Sequence, residues 1–149
     1  SEKDREAVLE GLVDGTIDVI ATDHAPHARE EKEVEYDYAP CGMVGLETAV
    51  PLVAEQLVNG NILSWSDAIR KMTVEPARIL NLPLGTLGTG AHADIVIIDP
   101  EMEAVVDPDR FYSKGKNTPF KGWKLKGWPV CTIVDGRIVM KDKRVLAGR

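Results

Sequence analysis

The sequence predicts an α/β fold, with a helix–turn–strand unit and flanking helices over residues 1–80 and a small β-rich module over residues 81–149. Three observations carry this. A helical apolar stripe near the amino end stops at Gly15 and runs directly into the β-branched stretch TIDVIAT of residues 16–22. Two helix-start signals follow, at Ser64 and Thr73. From Asn81 onward the texture changes to Gly, Pro and short β-branched runs, two of them joined by Asp135-Gly136.

In residues 3–14, Ala7, Val8, Leu9, Leu12 and Val13 share one stripe at helical spacing, and Gly15 suits the left-handed residue that ends many helices. The TIDVIAT run is mostly apolar, without alternation, the pattern of a strand buried on both faces of a parallel sheet. Residues 24–40 are polar and rich in charge, which predicts a loop at the carboxyl end of that strand, where such folds place function. Leu46, Val50, Val53, Ala54, Leu57 and Val58 return to helical spacing. Pro51 inside that run predicts a bend or a late start, and Asn59-Gly60 a stop. Ser64 with Asp67 reads as a capping box ahead of residues 68–72, and Thr73 with Pro76 in the first turn opens a short helix through Leu80. The expected β runs are residues 95–98, 104–106, 130–134 and 137–140, with Asp135-Gly136 as a two-residue hairpin turn between the last two.

Bulk properties narrow the function. The 149 residues, 44% of them hydrophobic, suffice for a real core. A net charge of -6, with charged residues of both signs interspersed, offers no basic stripe to neutralise phosphates, so nucleic acid is not an expected partner. No stretch approaches the roughly 18 apolar residues of a membrane helix, and Ser1-Glu2-Lys3-Asp4-Arg5 lacks the apolar segment of a secretion signal. The expectation is a soluble, cytoplasmic protein. Cys41 and Cys131 lie far apart in unlike contexts, which predicts reduced thiols.

The chemistry concentrates in residues 20–27, IATDHAPH, where an acid ends the expected strand and two imidazoles follow at once. A carboxylate at that position can ligate a metal and exchange a proton with the water the metal activates, and Asp23 suits both roles. It also suits a helix cap or turn. His24 and His27 are open to three readings: metal ligand, substrate-binding group, or structural hydrogen bonding. Pro26 between them favours an extended turn that directs the two rings differently. Gly42 allows the backbone to approach a ligand closely, but the alternative for Gly42 and Gly45 is turn geometry ahead of a helix, and the residues alone favour it. His92 takes no assigned role.

Taken together, IDVIATDHAPH and the downstream APCGMVGLET resemble the last barrel strand and following loop of bacterial-type dihydroorotases. The stretches EPARILNL, LGTLGTGAHADIVIID and KNTPFKGWKLKGWPVCTIVDGRIV are similar to the end of that family's barrel and its small β domain. The resemblance implies a (β/α)8 barrel with a zinc centre on its rim and reversible hydrolysis of dihydroorotate to N-carbamoyl-L-aspartate in pyrimidine synthesis. It implies that Asp23 is the catalytic residue, ligating Zn2+ and shuttling the proton between water and the ring nitrogen. His27 helps to hold the substrate carboxylate, and the backbone at Cys41 and Gly42 contacts the pyrimidine ring.

A whole barrel of this kind takes about 250 residues, and only one convincing barrel strand is present here. The family's His-x-His pair, bridging lysine and two later histidines have no counterparts. The expectation is therefore the C-terminal fragment of a TIM-type barrel: residues 1–80 as its last strand and helices, incomplete, and residues 81–149 as the small β-rich domain. Alternatives are another cyclic amidohydrolase, such as an allantoinase or dihydropyrimidinase, or a silent homologue acting as an interaction subunit. Expected partners are the small-molecule substrate and a second copy or an aspartate transcarbamoylase.

Overall fold

The computed structural model describes residues 1–146; residues 147–149, the end of the expected β-rich module, lie outside the described residues. The first helix, α1 (Glu2–Asp14), starts at Ser1, whose hydroxyl accepts from the Asp4 amide at 3.4 Å while the Asp4 carboxylate caps in return. It ends at Gly15 with φ 87°, a left-handed conformation that costs a glycine little.

The TIDVIAT run does not form the expected buried strand. Among the described residues no strand runs beside it, so its backbone groups find only scattered partners. The Ile17 amide donates to Gly11 O at 2.8 Å and the Ile20 amide to Lys71 O at 3.1 Å, and the buried Lys71 Nζ reaches Ile17 O at 2.6 Å. Asp18 and Ala21 are exposed. Strand propensity becomes a strand only where a neighbour accepts the ladder, and here the neighbour is absent.

The charged loop expected over residues 24–40 contains one helical turn, α2 (Arg29–Lys32), its first free amide, that of Ala28, satisfied by the Glu31 carboxylate at 2.9 Å. The next helix takes the late start of the two alternatives. It opens at α3 (Ala49–Val53), with Pro51 in the first turn where its missing N–H is harmless, and widens into a π turn over Ala54–Val58. The Ser64 side chain caps α4 (Trp65–Met72), accepting from the Asp67 amide at 3.1 Å; the helix begins three residues before residue 68 because the serine itself is the cap. Helix α5 (Val74–Ile79) follows at once.

Four antiparallel strands, β1 (Ile95–Val105), β2 (Lys124–Val134), β3 (Arg137–Lys141) and β4 (Arg144–Val145), form one sheet in chain order. The expected runs 95–98 and 104–106 are one strand. A register shift between Asp99 and Glu103 separates them, where the Asp99 carboxylate accepts from the amides of Glu101 and Met102 at 2.9 and 3.1 Å. Strand β2 reaches back to Lys124, well before the expected residue 130. The Asp135-Gly136 turn forms as expected, both residues at positive φ (49° and 72°) and Val134 paired with Arg137. Two positive φ values match the twist of the flanking strands.

The core is Val106, Leu125 and Trp128, joined by Met102, Phe111, Phe120 and, from the helical half, Leu52. Its tightest joint is Gly127 in β2, at φ 82°, where an added Cβ would overlap the Ala54 Cβ and stand 3.2 Å from the Trp65 ring. Gly127→Ala is therefore expected to cost about 2–5 kcal/mol, combining backbone strain with overpacking against a buried helix. Urea unfolding of wild type and variant measures it; a midpoint unchanged from wild type would mean that the helices do not seat on β2.

Candidate active site

The expected site residues lie on two loops laid side by side. His24 and Met43 form a parallel bridge, with the Ala25 amide donating to Met43 O at 3.0 Å, so residues 23–27 run alongside residues 41–45. Asp23 stands immediately before this bridge, exposed, with φ 44°. A non-glycine residue in the left-handed region is uncommon and costs of order 1 kcal/mol or more, and such outliers cluster at functional sites. Among the described residues the Asp23 carboxylate enters no hydrogen bond or ion pair.

The two histidines serve different partners. His24 Nδ1 accepts from the amides of Gly45 (3.0 Å) and Leu46 (3.3 Å), so that nitrogen carries no proton and its lone pair is engaged. Of the three readings open for His24, the structure takes up structural hydrogen bonding: the ring closes one loop onto the other. His27 Nε2 lies 3.0 Å from Cys41 O, and because a carbonyl only accepts, this nitrogen donates. Its Nδ1 lies 3.6 Å from the Glu31 carboxylate.

His27, Cys41 and Gly42 are brought together. Gly42 has φ 127°, and an added Cβ would stand 2.8 Å from Ala25 Cβ, 3.0 Å from Ala25 O and 3.2 Å from His27 Nε2. Glycine is thus required there both by conformation and by the closeness of the opposing loop. Cys41 is exposed and its thiol is free; Cys131 is also a free thiol. Gly45 is buried against Thr22, its absent Cβ 3.2 Å from that side chain.

Two residues at this site escaped sequence reasoning. Lys32 Nζ donates to Pro40 O at 2.6 Å and to Gly42 O at 3.3 Å. Asn117 Nδ2 donates to Gly42 O at 2.7 Å, and its own carbonyl accepts from the Val44 amide at 2.9 Å. Asn117 comes from the connection between β1 and β2, 75 residues beyond Gly42, and no local pattern links the two. That connection is seated by the Glu47 carboxylate, which accepts from the Tyr112 and Ser113 amides at 2.9 Å each, and by Gly115 against Pro26.

As a metal site the residues present do not suffice. Among the described residues no three His, Cys, Asp or Glu side chains come together, and both histidines have a ring nitrogen committed to the backbone. Asp23 remains one free hard-oxygen donor. Cavities of about 630 and 700 Å³ lie between helices and sheet, but Asp23, His27, Cys41 and Gly42 line neither. No helix of the described residues is long and apolar enough to cross a membrane.

Residues 1–139 match the Amidohydrolase family. The chain is 63% identical over 143 residues to the dihydroorotase of Pelotomaculum thermopropionicum, a match covering 96% of this chain and 34% of that protein. It is 52% identical over 146 residues to the dihydroorotase of Bacillus subtilis, covering 98% and 34%. The chain thus spans about a third of the length of these curated relatives. Its fold is shared with the L-hydantoinase (dihydropyrimidinase) of Arthrobacter aurescens, with a TM-score of 0.88 at 34% identity over 94% of this chain and 32% of that one. A D-hydantoinase structure at 23% identity, with a TM-score of 0.87 over 97% and 33%, shares the fold as well. The paired loops at Asp23 and Gly42, the small antiparallel sheet and these matches along nearly the whole chain lead to one assignment: the chain belongs to the amidohydrolase family.

Proposed function

We propose that this chain is the carboxyl-terminal part of a zinc-dependent dihydroorotase of the cytoplasm, and that the whole enzyme hydrolyses dihydroorotate reversibly to N-carbamoyl-L-aspartate. The observation that supports it most is the loop pair itself: a free Asp23 carboxylate in a left-handed conformation beside a glycine-dependent backbone segment, in a chain 63% identical to a dihydroorotase. On this reading residues 1–80 close a (β/α)8 barrel. TIDVIAT then gains the neighbours that would make it a strand, and residues from 81 onward form a separate small β domain. The remaining metal ligands come from outside these 149 residues.

Asp23 acts as general base and acid. Its carboxylate accepts the proton of the attacking water and returns it to the departing amide nitrogen; ring closure uses the same steps backwards. His27 positions the substrate carboxylate. Its Nε2–H is donated to Cys41 O, which fixes the ring against the 40–42 loop, and Nδ1 lies 3.6 Å from the Glu31 carboxylate. The amides of Cys41 and Gly42 donate to the ring's oxygens.

The likeness to L-hydantoinase favours a second reading, a dihydropyrimidinase or related ring opener, but at 34% identity against 63%. The test is made on the full-length protein. Turnover of dihydroorotate and carbamoyl aspartate, with none of hydantoin or dihydrouracil, is the expected result; the reverse preference would replace this reading by the second. His27→Ala should raise KM for dihydroorotate about 10- to 100-fold while metal content stays whole. Loss of a metal equivalent would make His27 a ligand instead.

A further inference from the structure

Three successive carbonyls of the 40–42 loop are each held by a side chain: Pro40 O by Lys32 at 2.6 Å, Cys41 O by His27 at 3.0 Å, and Gly42 O by Asn117 at 2.7 Å with Lys32 again at 3.3 Å. Among the described residues neither the Cys41 nor the Gly42 amide donates a hydrogen bond. A trans peptide is planar, with its N–H opposite its C=O, so a hand on the carbonyl of one residue aims the amide of the next. The hold on Pro40 O thus aims the Cys41 N–H, and the hold on Cys41 O aims the Gly42 N–H. The third peptide needs its own hold, because Gly42 at φ 127° has no side chain to limit rotation. Asn117 grips that peptide through Gly42 O and the next one through the Val44 amide.

We infer that Lys32 and Asn117 are positioning residues of the substrate-binding loop: Lys32 aims the Cys41 amide toward an oxygen acceptor on the substrate, and Asn117, by fixing the peptide after Gly42, anchors the glycine whose own amide His27 aims. The inference rests on the reading of those amides as substrate contacts. Neither residue touches the reacting atoms. Their effect is carried by the orientation of a backbone that would otherwise be free to flip, so their loss weakens binding of the ring more than it slows the bond-breaking step.

The experiment compares full-length wild type with Asn117→Ala, the isosteric Asn117→Asp, which lacks the amide donor, Lys32→Met, and Lys32→Arg as the variant that keeps a donor. Expected is a rise in KM for dihydroorotate of about tenfold for each of the first three, the scale of one lost hydrogen bond, with kcat within about threefold, metal content unchanged and Lys32→Arg near wild type. A fall in kcat at unchanged KM, or no change in either, overturns the positioning role. Hydrogen–deuterium exchange of residues 39–45 in the same variants reads the loop without substrate, and faster exchange than in wild type is expected. Wild-type protein inactive on dihydroorotate would sink the functional reading alone, whereas exchange unchanged in Asn117→Ala would sink the positioning role even in an active enzyme.

Discussion

In the full-length enzyme, Asp23→Asn is expected to slow both hydrolysis of dihydroorotate and cyclisation of carbamoyl aspartate by about 10²- to 10⁴-fold, the range general acid–base participation supplies. The amide keeps the size of the carboxylate and one coordinating oxygen but can neither accept the proton from water nor carry it to nitrogen. Both directions must fall together, since they cross one transition state. Folding should change little, because Asp23 is exposed and its carboxylate holds no other group in place. Asparagine tolerates φ 44° as readily as aspartate does, so the backbone does not confound the comparison. The measurement is steady-state rates in both directions on metal-replete variant; near-normal turnover in either direction would leave Asp23 as a turn residue only.

Gly42→Ala is expected to lower kcat/KM by about 10²-fold, with metal content retained. The new methyl meets Ala25 Cβ at 2.8 Å and Ala25 O at 3.0 Å, on a loop tied to its neighbour by the His24–Met43 bridge, so neither side yields without shifting the other. Alanine also resists φ 127°. The displacement falls on the segment whose amides we propose as substrate contacts and reaches His27 Nε2, 3.2 Å from the added atom. Gly15→Ala is the control: it too has positive φ, 87°, but nothing within 4 Å, so it should cost about 1 kcal/mol of stability and leave activity intact. Equal losses from the two substitutions would show that the effect is general backbone strain and not the closeness of the two loops.

The end of α1 and the cap of α4 were legible because each is marked by residues acting within one turn, Gly15 and Ser64 with Asp67, whereas the single turn of α2 inside the charged loop was not. The Asp135-Gly136 hairpin was legible for the same reason, since two positive φ values are demanded and met by adjacent residues. The TIDVIAT run misled because its composition describes burial between neighbours that these residues do not provide. Strands β1 and β2 were placed but read too short, and β4 was not read: the Asp99 irregularity split β1 in the pattern, and the alternation of Lys and Gly in Lys124-Leu125-Lys126-Gly127 carries no continuous β-branched run.

At the site the division is sharper. The sequence by itself determined the chemical types and their order, an acid, two imidazoles and a glycine-bearing segment, because local succession is enough to recognise them. Only the tertiary structure decided what each imidazole does: His24 spends Nδ1 on the Gly45 and Leu46 amides, His27 spends Nε2 on Cys41 O. It alone revealed Lys32 and Asn117 as the supports of the 40–42 carbonyls, and the closeness of Gly42 to Ala25. The physical reason is that a hydrogen bond depends on where two groups meet in space, and Asn117 meets Gly42 across 75 residues of chain that no periodicity spans.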